Sequence, residues 1–323
     1  MTTTHVLGID IGGTKIAAGL VGEDGELTAA REVPTDAHDP AAVARALDVL
    51  VDDVLAQARE HGHRVADVVG IGSAGPVDTR RGTVHPVNIP SLRGFGLVEA
   101  VAGRAGAVLG RRVRAELAQD GQCFAAAEQW RGAAAGAPAV LGVVVSTGIG
   151  AGVVLDGRVL AGKSGNAGFL SHVGVHLDGA VLEGSGARGV VEAYASGPSM
   201  VAAARRRGWR PGEAADAKRL TADAADGDPL ALAVIADGTR ALASAFLSAA
   251  ALLDLTDVVV GGGVASAGDV VMAPLRAAYA ELAVYPHLAD VRISASRLPR
   301  TSGLVGAGRL GWSALAGDGA LGR

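Results

Sequence analysis

Apolar runs broken by glycine turns open the chain and return near its middle. The opening runs cover residues 6–11, 16–21 and 27–33, joined by a Gly-Gly pair and then by an acidic glycine turn. The second series covers residues 139–145, 153–155 and 158–160, with a glycine turn at 146–152. Short apolar runs between turn residues are typical of strands joined in hairpins. The pattern therefore predicts two copies of a three-stranded meander.

A helical period follows the first meander. Asp39 and Pro40 suit a helix start, and apolar residues recur on one helical face at positions 43, 46, 47, 50, 51, 54 and 55. The later pattern predicts helices at 97–109, 123–131, 229–253 and 303–315, and another helix that ends near 283. It predicts strands at 65–71, 112–115, 257–260 and 291–295.

Repetition of the same series indicates how the chain is organised. Two meanders, each followed by helices and further strands, predict a duplicated α/β fold of two domains with a cleft between them. We expect residues 1–118 to form the N-terminal domain, completed by a C-terminal helix at about 303–323. Residues 119–302 are then the larger C-terminal domain.

Composition narrows the class of protein. The 323 residues suit two domains, and 48 glycines without a collagen period point to tight turns. A formal charge of −4, spread along the chain, argues against nucleic acid as a partner. One cysteine, Cys123, excludes an internal disulfide and a cysteine-rich zinc site. Without a signal-peptide pattern or a bilayer-length apolar run, we expect a cytoplasmic protein with no membrane partner.

The end of the first strand carries the first candidate site. Gly12 and Gly13 let backbone N–H groups approach phosphate oxygens, and Thr14 and Lys15 complete the motif. Asp10 suits Mg²⁺ held through water, since Mg²⁺ takes few carboxylates besides phosphate oxygens. An ordinary Gly-Gly hairpin explains the same residues equally well, and Lys15 is also typical of a surface charge.

Four motifs, in order, resemble the ROK family of sugar kinases and repressors, which has the actin-like ATPase (ribonuclease H-like) fold. They are GIDIGGTKIAAGLV, GIGSAGPVD, STGIGAGVVLDG and GGGV, and the resemblance covers about residues 5–310. It implies that the first hairpin and a second turn embrace the ATP phosphates, while Gly262 and Gly263 lie by the adenosine. The residues implied for the second turn are Thr147, Gly148 and Gly150.

The family contains both kinases and repressors, and the segment before Asp10 distinguishes between them. Repressor members carry a helix-turn-helix domain before the aspartate hairpin, whereas nine residues precede Asp10. We therefore expect a kinase that uses ATP and Mg²⁺, takes a small sugar-like molecule as substrate, and forms the homodimer common in the family.

A Gln-Asp pair stands where the family has Asn-Asp. The resemblance implies that Asp120 accepts the proton of the sugar hydroxyl during attack on the γ-phosphate. A helix N-cap is the other interpretation of an aspartate at this place. Gln119 replaces the asparagine that binds a ring hydroxyl, and its extra methylene must change the fit. Gly75 matches a backbone contact to the sugar, and Asn88 an asparagine presented to the substrate.

A second segment departs from the family pattern on the sugar side. Phe169 stands where a glutamate contacts the hydroxyls near the anomeric carbon, whereas His172 is retained. A phenyl ring cannot accept hydroxyl hydrogen bonds, so it would stack on a C–H face or reject a hydroxyl. The alternative is a buried Phe169 beside a hydrogen-bonded core histidine.

The zinc motif of the family has lost its cysteines. Glu183, Ser185 and Val190 occupy the three cysteine positions, so we predict no structural zinc. Glu192 is retained where the family glutamate binds a sugar hydroxyl. A solvated carboxylate at a helix start is the other interpretation.

Together these residues predict ATP-dependent phosphorylation of a primary hydroxyl on a sugar or sugar-like polyol. The departures favour a specialised substrate, such as a C7-cyclitol or an amino sugar, over plain glucose. The alternatives are an ordinary hexose or N-acetylhexosamine kinase, and a non-catalytic sugar-sensing regulator on the same fold.

Overall fold

The computed structural model describes residues 3–212, 215–298, 300–317 and 321–322. Internal contacts divide the chain into two units. The first comprises Met1–Gly136, Gly152–Gly168 and Leu298–Arg323, and the second comprises Ala137–Ala151 and Phe169–Arg297. The limits of these units differ from the predicted domain boundaries at 118/119 and about 303. The division into those two domains remains a prediction.

The described residues form both strands and helices. The strands are β1 Thr4–Ile11, β2 Lys15–Gly22, β3 Leu27–Pro34, β4 Arg64–Ser73, β5 Val77–Asp78, β6 Thr83–Val84, β7 Arg114–Gln119, β8 Ala139–Val145, β9 Ile149–Leu155, β10 Arg158–Leu160, β11 Asp257–Gly261, β12 Arg292–Ala295 and β13 Leu321–Gly322. The helices are α1 Pro40–Glu60, α2 Leu97–Leu109, α3 Asp120–Arg131, α4 Glu192–Ala195, α5 Gly197–Arg206, α6 Ala217–Ala225, α7 Pro229–Leu253, α8 Gly262–Ala265, α9 Asp269–Leu282, α10 Pro286–Ala289 and α11 Ser302–Leu315.

The first unit is built on a five-stranded sheet of order β3-β2-β1-β4-β7. The first three strands form the predicted antiparallel meander, and β4 and β7 run parallel to β1. The register sets Ile11 opposite Ser73, and Ser73 opposite Gln119. The carboxyl ends of β1, β4 and β7 therefore meet at one edge of the sheet, which brings Asp10 and Asp120 to the same place.

Helix α1 covers one face of this sheet and follows the predicted period. Asp39 caps it, since its carboxylate accepts the Ala41 N–H at 2.8 Å. The apolar side chains of α1 are buried in a core shared with β1, β4 and α2. Burial of the predicted stripe holds the helix in place, because removing apolar surface from water is the main stabilising term.

Helix α11 packs against β1, β4 and α3 by close backbone approach. A Cβ on Gly70 would collide with the Ala307 carbonyl, and one on Gly306 would collide with the Cys123 carbonyl. Trp312 adds a hydrogen bond from its indole Nε1 to the Val21 carbonyl at 3.0 Å. Glycines in helix and sheet thus set the distance at which the C-terminal helix joins the first unit.

The second unit contains three parallel strands, β8, β11 and β12. Val258 pairs with Leu141 on one side and with Ile293 on the other, while Gly261 lies opposite Val144. The turn after β8 and the helix start after β11 therefore lie at the same strand edge. This places Thr147 and Gly263 near each other.

Three predicted elements have a boundary that differs from the observed one by three residues or more. β7 covers Arg114–Gln119 instead of 112–115, because its pairing with β4 runs to Gln119. Helix α3 begins at Asp120 instead of 123, where the Gln122 side chain accepts the Gln119 N–H at 3.1 Å. β9 begins at Ile149 instead of 153, so Gly150 lies in a strand and the turn is shorter than predicted.

Among the described residues, one helix, α7, is long and apolar enough to cross a membrane by length and composition. In this structure 56% of its most apolar stretch is buried, as is common for the core helix of a globular unit.

Candidate functional site

Two carboxylates lie at the carboxyl edge of the first sheet. Asp10 is near the end of β1, and its carboxylate contacts Gly303 at the start of α11 so closely that a Cβ there would collide with it. Asp120 is the first residue of α3, and its Oδ1 accepts the Gly121 N–H at 2.7 Å. Gln119, not Asp120, holds the N-cap position of that helix.

Both carboxyl groups have raised pKa values. Burial raises the pKa of Asp10 to about 7, the Asp120 charge adds to the shift, and Lys15 opposes it. Burial also raises the pKa of Asp120 to about 6, against backbone N–H groups that favour the ionised form. A carboxylate that gains protons near neutral pH suits a general base, and two acids that repel each other suit a nearby cation.

These shifts predict how the stability of the ligand-free protein depends on pH. An unfolded aspartate has a pKa of about 3.9, so between about pH 4 and pH 7 the folded state holds protons that unfolding releases. The two carboxyls should therefore make the free energy of unfolding fall as pH rises through that range. Urea unfolding at pH 5 and pH 8 should show a smaller loss for Asp120→Asn than for wild type; equal losses would contradict the shift.

The first glycine turn is closed by backbone hydrogen bonds and a distant threonine. The Gly12 N–H donates to the Lys15 carbonyl at 2.9 Å, and Thr35 Oγ1 donates to the Gly12 carbonyl at 2.8 Å. Thr14 is exposed at the tip. Gly13 lies against the exposed Asn88 side chain, which would have to move aside for a Cβ at this position.

Two predicted site residues take partners within the first unit. Lys15 Nζ forms an ion pair with the Glu32 carboxylate at 2.6 Å, so the Lys15 charge has a partner on the neighbouring strand. Asn88 is exposed and packs over the turn at Gly13, so the structure joins it to the predicted phosphate hairpin.

Gln119 is held by an asparagine that the sequence analysis did not single out. Its Nε2 donates to Asn166 Oδ1 at 2.8 Å, and Asn166 forms two hydrogen bonds with the Val77 backbone, at 2.7 and 2.9 Å. Gly75 packs against the Gln119 side chain, since a Cβ there would lie 2.6 Å from Oε1. The predicted pair Gly75 and Gln119 is therefore adjacent, with the amide orientation set by Asn166.

In the second unit, the turn after β8 is tight. The Ser146 N–H donates to the Gly148 carbonyl at 2.9 Å, and the chain re-enters a strand at Ile149. The Ile149 N–H donates to Glu192 Oε2 at 2.6 Å. Glu192 is thus half-buried and hydrogen-bonded, which differs from a solvated carboxylate at a helix start.

A cavity of about 740 Å³ lies beside this turn in the second unit. Its wall includes Thr147 and Gly263, two of the residues predicted to bind nucleotide. Gly262 precedes Gly263 on α8 with a φ of 92°, and a Cβ there would collide with the Val145 carbonyl. Three exposed cations that the sequence analysis missed also line the cavity: Arg205, Arg206 and Lys218.

Phe169 and His172 lie next to each other on the surface of the second unit. Their ring centroids are 5.1 Å apart, and Ser171 Oγ lies 3.0 Å from His172 Nδ1. Phe169 is 38% exposed, and His172 is exposed as well. The alternative of a buried phenylalanine beside a core histidine is therefore wrong.

The segment that resembles the zinc motif is held by other contacts. Val190 packs with Leu182 and Ala193 in a small apolar cluster, and Tyr194 Oη accepts the Ala180 N–H at 2.8 Å. Glu183 and Ser185 are exposed. Across the described part of the chain, no group of three or more His, Cys, Asp or Glu side chains is placed to hold a metal ion.

The residues nevertheless fit ATP and Mg²⁺. Mg²⁺ is usually held by one or two carboxylates plus phosphate oxygens, so the mutually repelling Asp10 and Asp120 match its needs without a larger ligand cluster. The cavity beside Thr147 combines apolar walls with cationic side chains, as an adenine and its phosphates require.

Several of these contacts have no local sequence signal. Thr35 is 23 residues from Gly12, and Asn166 is 47 residues from Gln119. Neither residue type is unusual at its position. Asn166 does stand within the segment that resembles the family's sugar motif, which is the one signal that could have found it.

Comparisons of the sequence and of the structure with known proteins all identify relatives of the same family. The model of the ROK family matches residues 6–312. An N-acetylmannosamine kinase from Citrobacter koseri is 35% identical over 308 residues, covering 94% of this chain and 97% of that protein. A ROK hexokinase structure from Thermus thermophilus superimposes with a TM-score of 0.84 at 32% identity, over 97% of this chain and 99% of that chain.

A ROK glucokinase from Streptomyces griseus, solved with glucose and AMPPNP, superimposes with a TM-score of 0.78 at 30% identity, over 96% of this chain and 99% of that one. The predicted α/β fold of the actin-like ATPase class is confirmed by these structures. With the family match running over nearly its whole length, this chain belongs to the ROK family.

Proposed function

We propose that the protein is an ATP-dependent kinase that phosphorylates a primary hydroxyl of a sugar or sugar-like polyol. The observation that carries the proposal is the Asp120 carboxylate, held at the start of α3 with a pKa raised to about 6. A base is most effective when its pKa lies near the working pH. Relatives named as a hexokinase, a glucokinase and an N-acetylmannosamine kinase support this reaction class.

In the proposed reaction, Asp120 accepts the proton of the acceptor hydroxyl as its oxygen attacks the γ-phosphate. Asp10 binds Mg²⁺ through water, and the metal supplies charge neutralisation on the phosphates when bound. The Gly13 N–H and backbone N–H groups of the turn at Thr147 bind phosphate oxygens, whereas the Gly12 N–H closes the first turn on the Lys15 carbonyl. Exclusion of water from the bound substrates then limits the competing hydrolysis of ATP.

The acceptor side is proposed to use His172, Glu192, Asn88, Gln119 and the Gly75 backbone. Its specificity is proposed to differ from that of glucose kinases at Phe169. Because this ring is exposed beside His172, it is available to a ligand as an apolar surface. A cyclitol has no hemiacetal oxygen, so an apolar side chain facing that region costs it little. We therefore favour a C7-cyclitol or an amino sugar, with glucose and N-acetylmannosamine as the alternatives.

A coupled assay of ADP release tests the proposal. The panel should contain glucose, mannose, N-acetylmannosamine, N-acetylglucosamine and a C7-cyclitol, each with ATP and Mg²⁺. Turnover that requires an acceptor supports a kinase, and the rank order identifies the substrate class. Tight sugar binding by calorimetry without turnover on any member would instead support a sugar-sensing regulator. Light scattering on the same sample tests the proposed homodimer.

Zinc content is a separate prediction. Since Glu183, Ser185 and Val190 replace the cysteines of the family pattern, purified protein should contain well under one zinc per chain by elemental analysis. Activity should also be unchanged after EDTA treatment and return to Mg²⁺ buffer. A stoichiometric zinc signal that survives dialysis would contradict the alignment of residues 183–192.

A further inference from the structure

The turn at residues 146–149, which lines the cavity beside Thr147, is joined by two hydrogen bonds to one short segment, residues 192–197. At one end of the turn, Glu192 Oε2 accepts the Ile149 N–H at 2.6 Å. At the other end, the Gly197 N–H donates to the Ser146 carbonyl at 2.8 Å. Both ends of the four-residue turn 146–149 are therefore held by residues five positions apart.

The geometry leaves little freedom for these contacts. A Cβ on Gly148 would lie 3.0 Å from Glu192 Oε2, so the carboxylate packs directly under the turn. A Cβ on Gly197 would lie 3.1 Å from the Ser146 carbonyl. Ser196 fixes the segment itself, because its side chain caps α5 by accepting the Ser199 N–H. The Glu-x-x-x-Ser-Gly spacing thus matches the span of the turn.

From these contacts we propose that Glu192 is a positioning residue for the nucleotide turn, in addition to its proposed contact with the acceptor. The inference rests on the proposed function and deepens it, because one carboxylate then serves both substrates. One oxygen holds Ile149, and the carboxylate has further lone pairs for an acceptor hydroxyl. Loss of this hydrogen bond would loosen the turn that carries Thr147 and weaken ATP binding, although Glu192 itself does not touch the nucleotide.

Substitutions at Glu192 distinguish the effect of side-chain length from the effect of side-chain charge. Glu192→Gln keeps an oxygen acceptor at the same reach, whereas Glu192→Asp keeps the charge but is one methylene shorter. Nucleotide affinity should follow side-chain length, so Glu192→Gln should bind AMPPNP with Mg²⁺ within about threefold of wild type. Glu192→Asp and a third variant, Glu192→Ala, which removes the carboxylate, should bind it about tenfold more weakly, which corresponds to about 1.4 kcal/mol. The KM for the best acceptor should rise in all three variants.

The measurement is calorimetric titration with AMPPNP, with thermal unfolding to confirm that each variant is folded. Glu183→Gln, an exposed carboxylate nine residues earlier, is the matched control and should bind like wild type. Exchange of the Ile149 amide with deuterium gives an independent readout, since protection should persist in Glu192→Gln and fall in Glu192→Asp.

Two results would overturn the inference while leaving the proposed kinase intact. One is unchanged or tighter AMPPNP binding by folded Glu192→Asp and Glu192→Ala. The other is a loss of nucleotide affinity in Glu192→Gln as large as that in Glu192→Ala, since the charge of the side chain would then matter and its length would not. A wild-type protein that neither binds AMPPNP nor phosphorylates any acceptor would overturn the proposed function, and this inference with it.

Discussion

Replacing Asp120 by asparagine should lower kcat at least about 100-fold, because the amide cannot accept the proton of the attacking hydroxyl. The fold should survive, since the amide oxygen can still accept the Gly121 N–H that Oδ1 now accepts at 2.7 Å. Steady-state kinetics by ADP release, with thermal unfolding on the same samples, checks both statements. Asp53→Asn, on the exposed side of α1, is the matched control.

The pH profile sharpens this prediction. With the Asp120 pKa at about 6, the base is protonated and inactive below that pH. In the wild type kcat/KM should therefore rise with pH through about 6, and the residual activity of Asp120→Asn should lack that limb. Turnover within threefold of wild type, or an acid limb unchanged by the substitution, would remove Asp120 from the mechanism.

Replacing Phe169 by glutamate should shift specificity towards glucose. A carboxylate accepts one or two hydroxyl hydrogen bonds that the ring cannot, and a buried hydroxyl without a partner costs about 1–3 kcal/mol. That range corresponds to roughly 5- to 150-fold in specificity. We expect kcat/KM for glucose, relative to the best acceptor of the wild type, to rise by a factor in this range.

The control for this experiment is Phe169→Leu, which removes the ring without adding an acceptor. It should leave glucose a poor substrate. The hypothesis fails if wild type already phosphorylates glucose as well as any acceptor in the panel. It also fails if the folded glutamate variant keeps the wild-type preference.

The predicted elements were found wherever a periodic pattern was long. The seven predicted apolar positions of α1 lie on one helical face between residues 43 and 55 of this 21-residue helix, and the structure buries most of them. Boundaries were less well predicted where the pattern is short. The end of β7 depends on its pairing with β4, and the start of α3 on a hydrogen bond to the Gln122 side chain. Neither contact is visible in a run of five or six residues.

The candidate site, like the fold, could be predicted from the sequence only in part. Asp10, Asp120 and the glycine turns are recognisable from residue type, order and spacing, and the parallel register then brings the two aspartates to one sheet edge. The environment of each residue was not predictable. Burial raises the pKa of Asp120, and burial depends on side chains from several elements distant in sequence.

Sequence alone determined the family, the order of the elements and the chemistry available, because glycine turns and carboxylates at strand ends are local signals. Tertiary structure alone decided which groups meet. Asn88 with Gly13, Asn166 with Gln119, and Glu192 with Ile149 are contacts between residues 43 to 75 positions apart. Such contacts depend on strand register and on how closely backbones approach each other. These are properties of the packed chain, and the residue types at either end do not encode them separately.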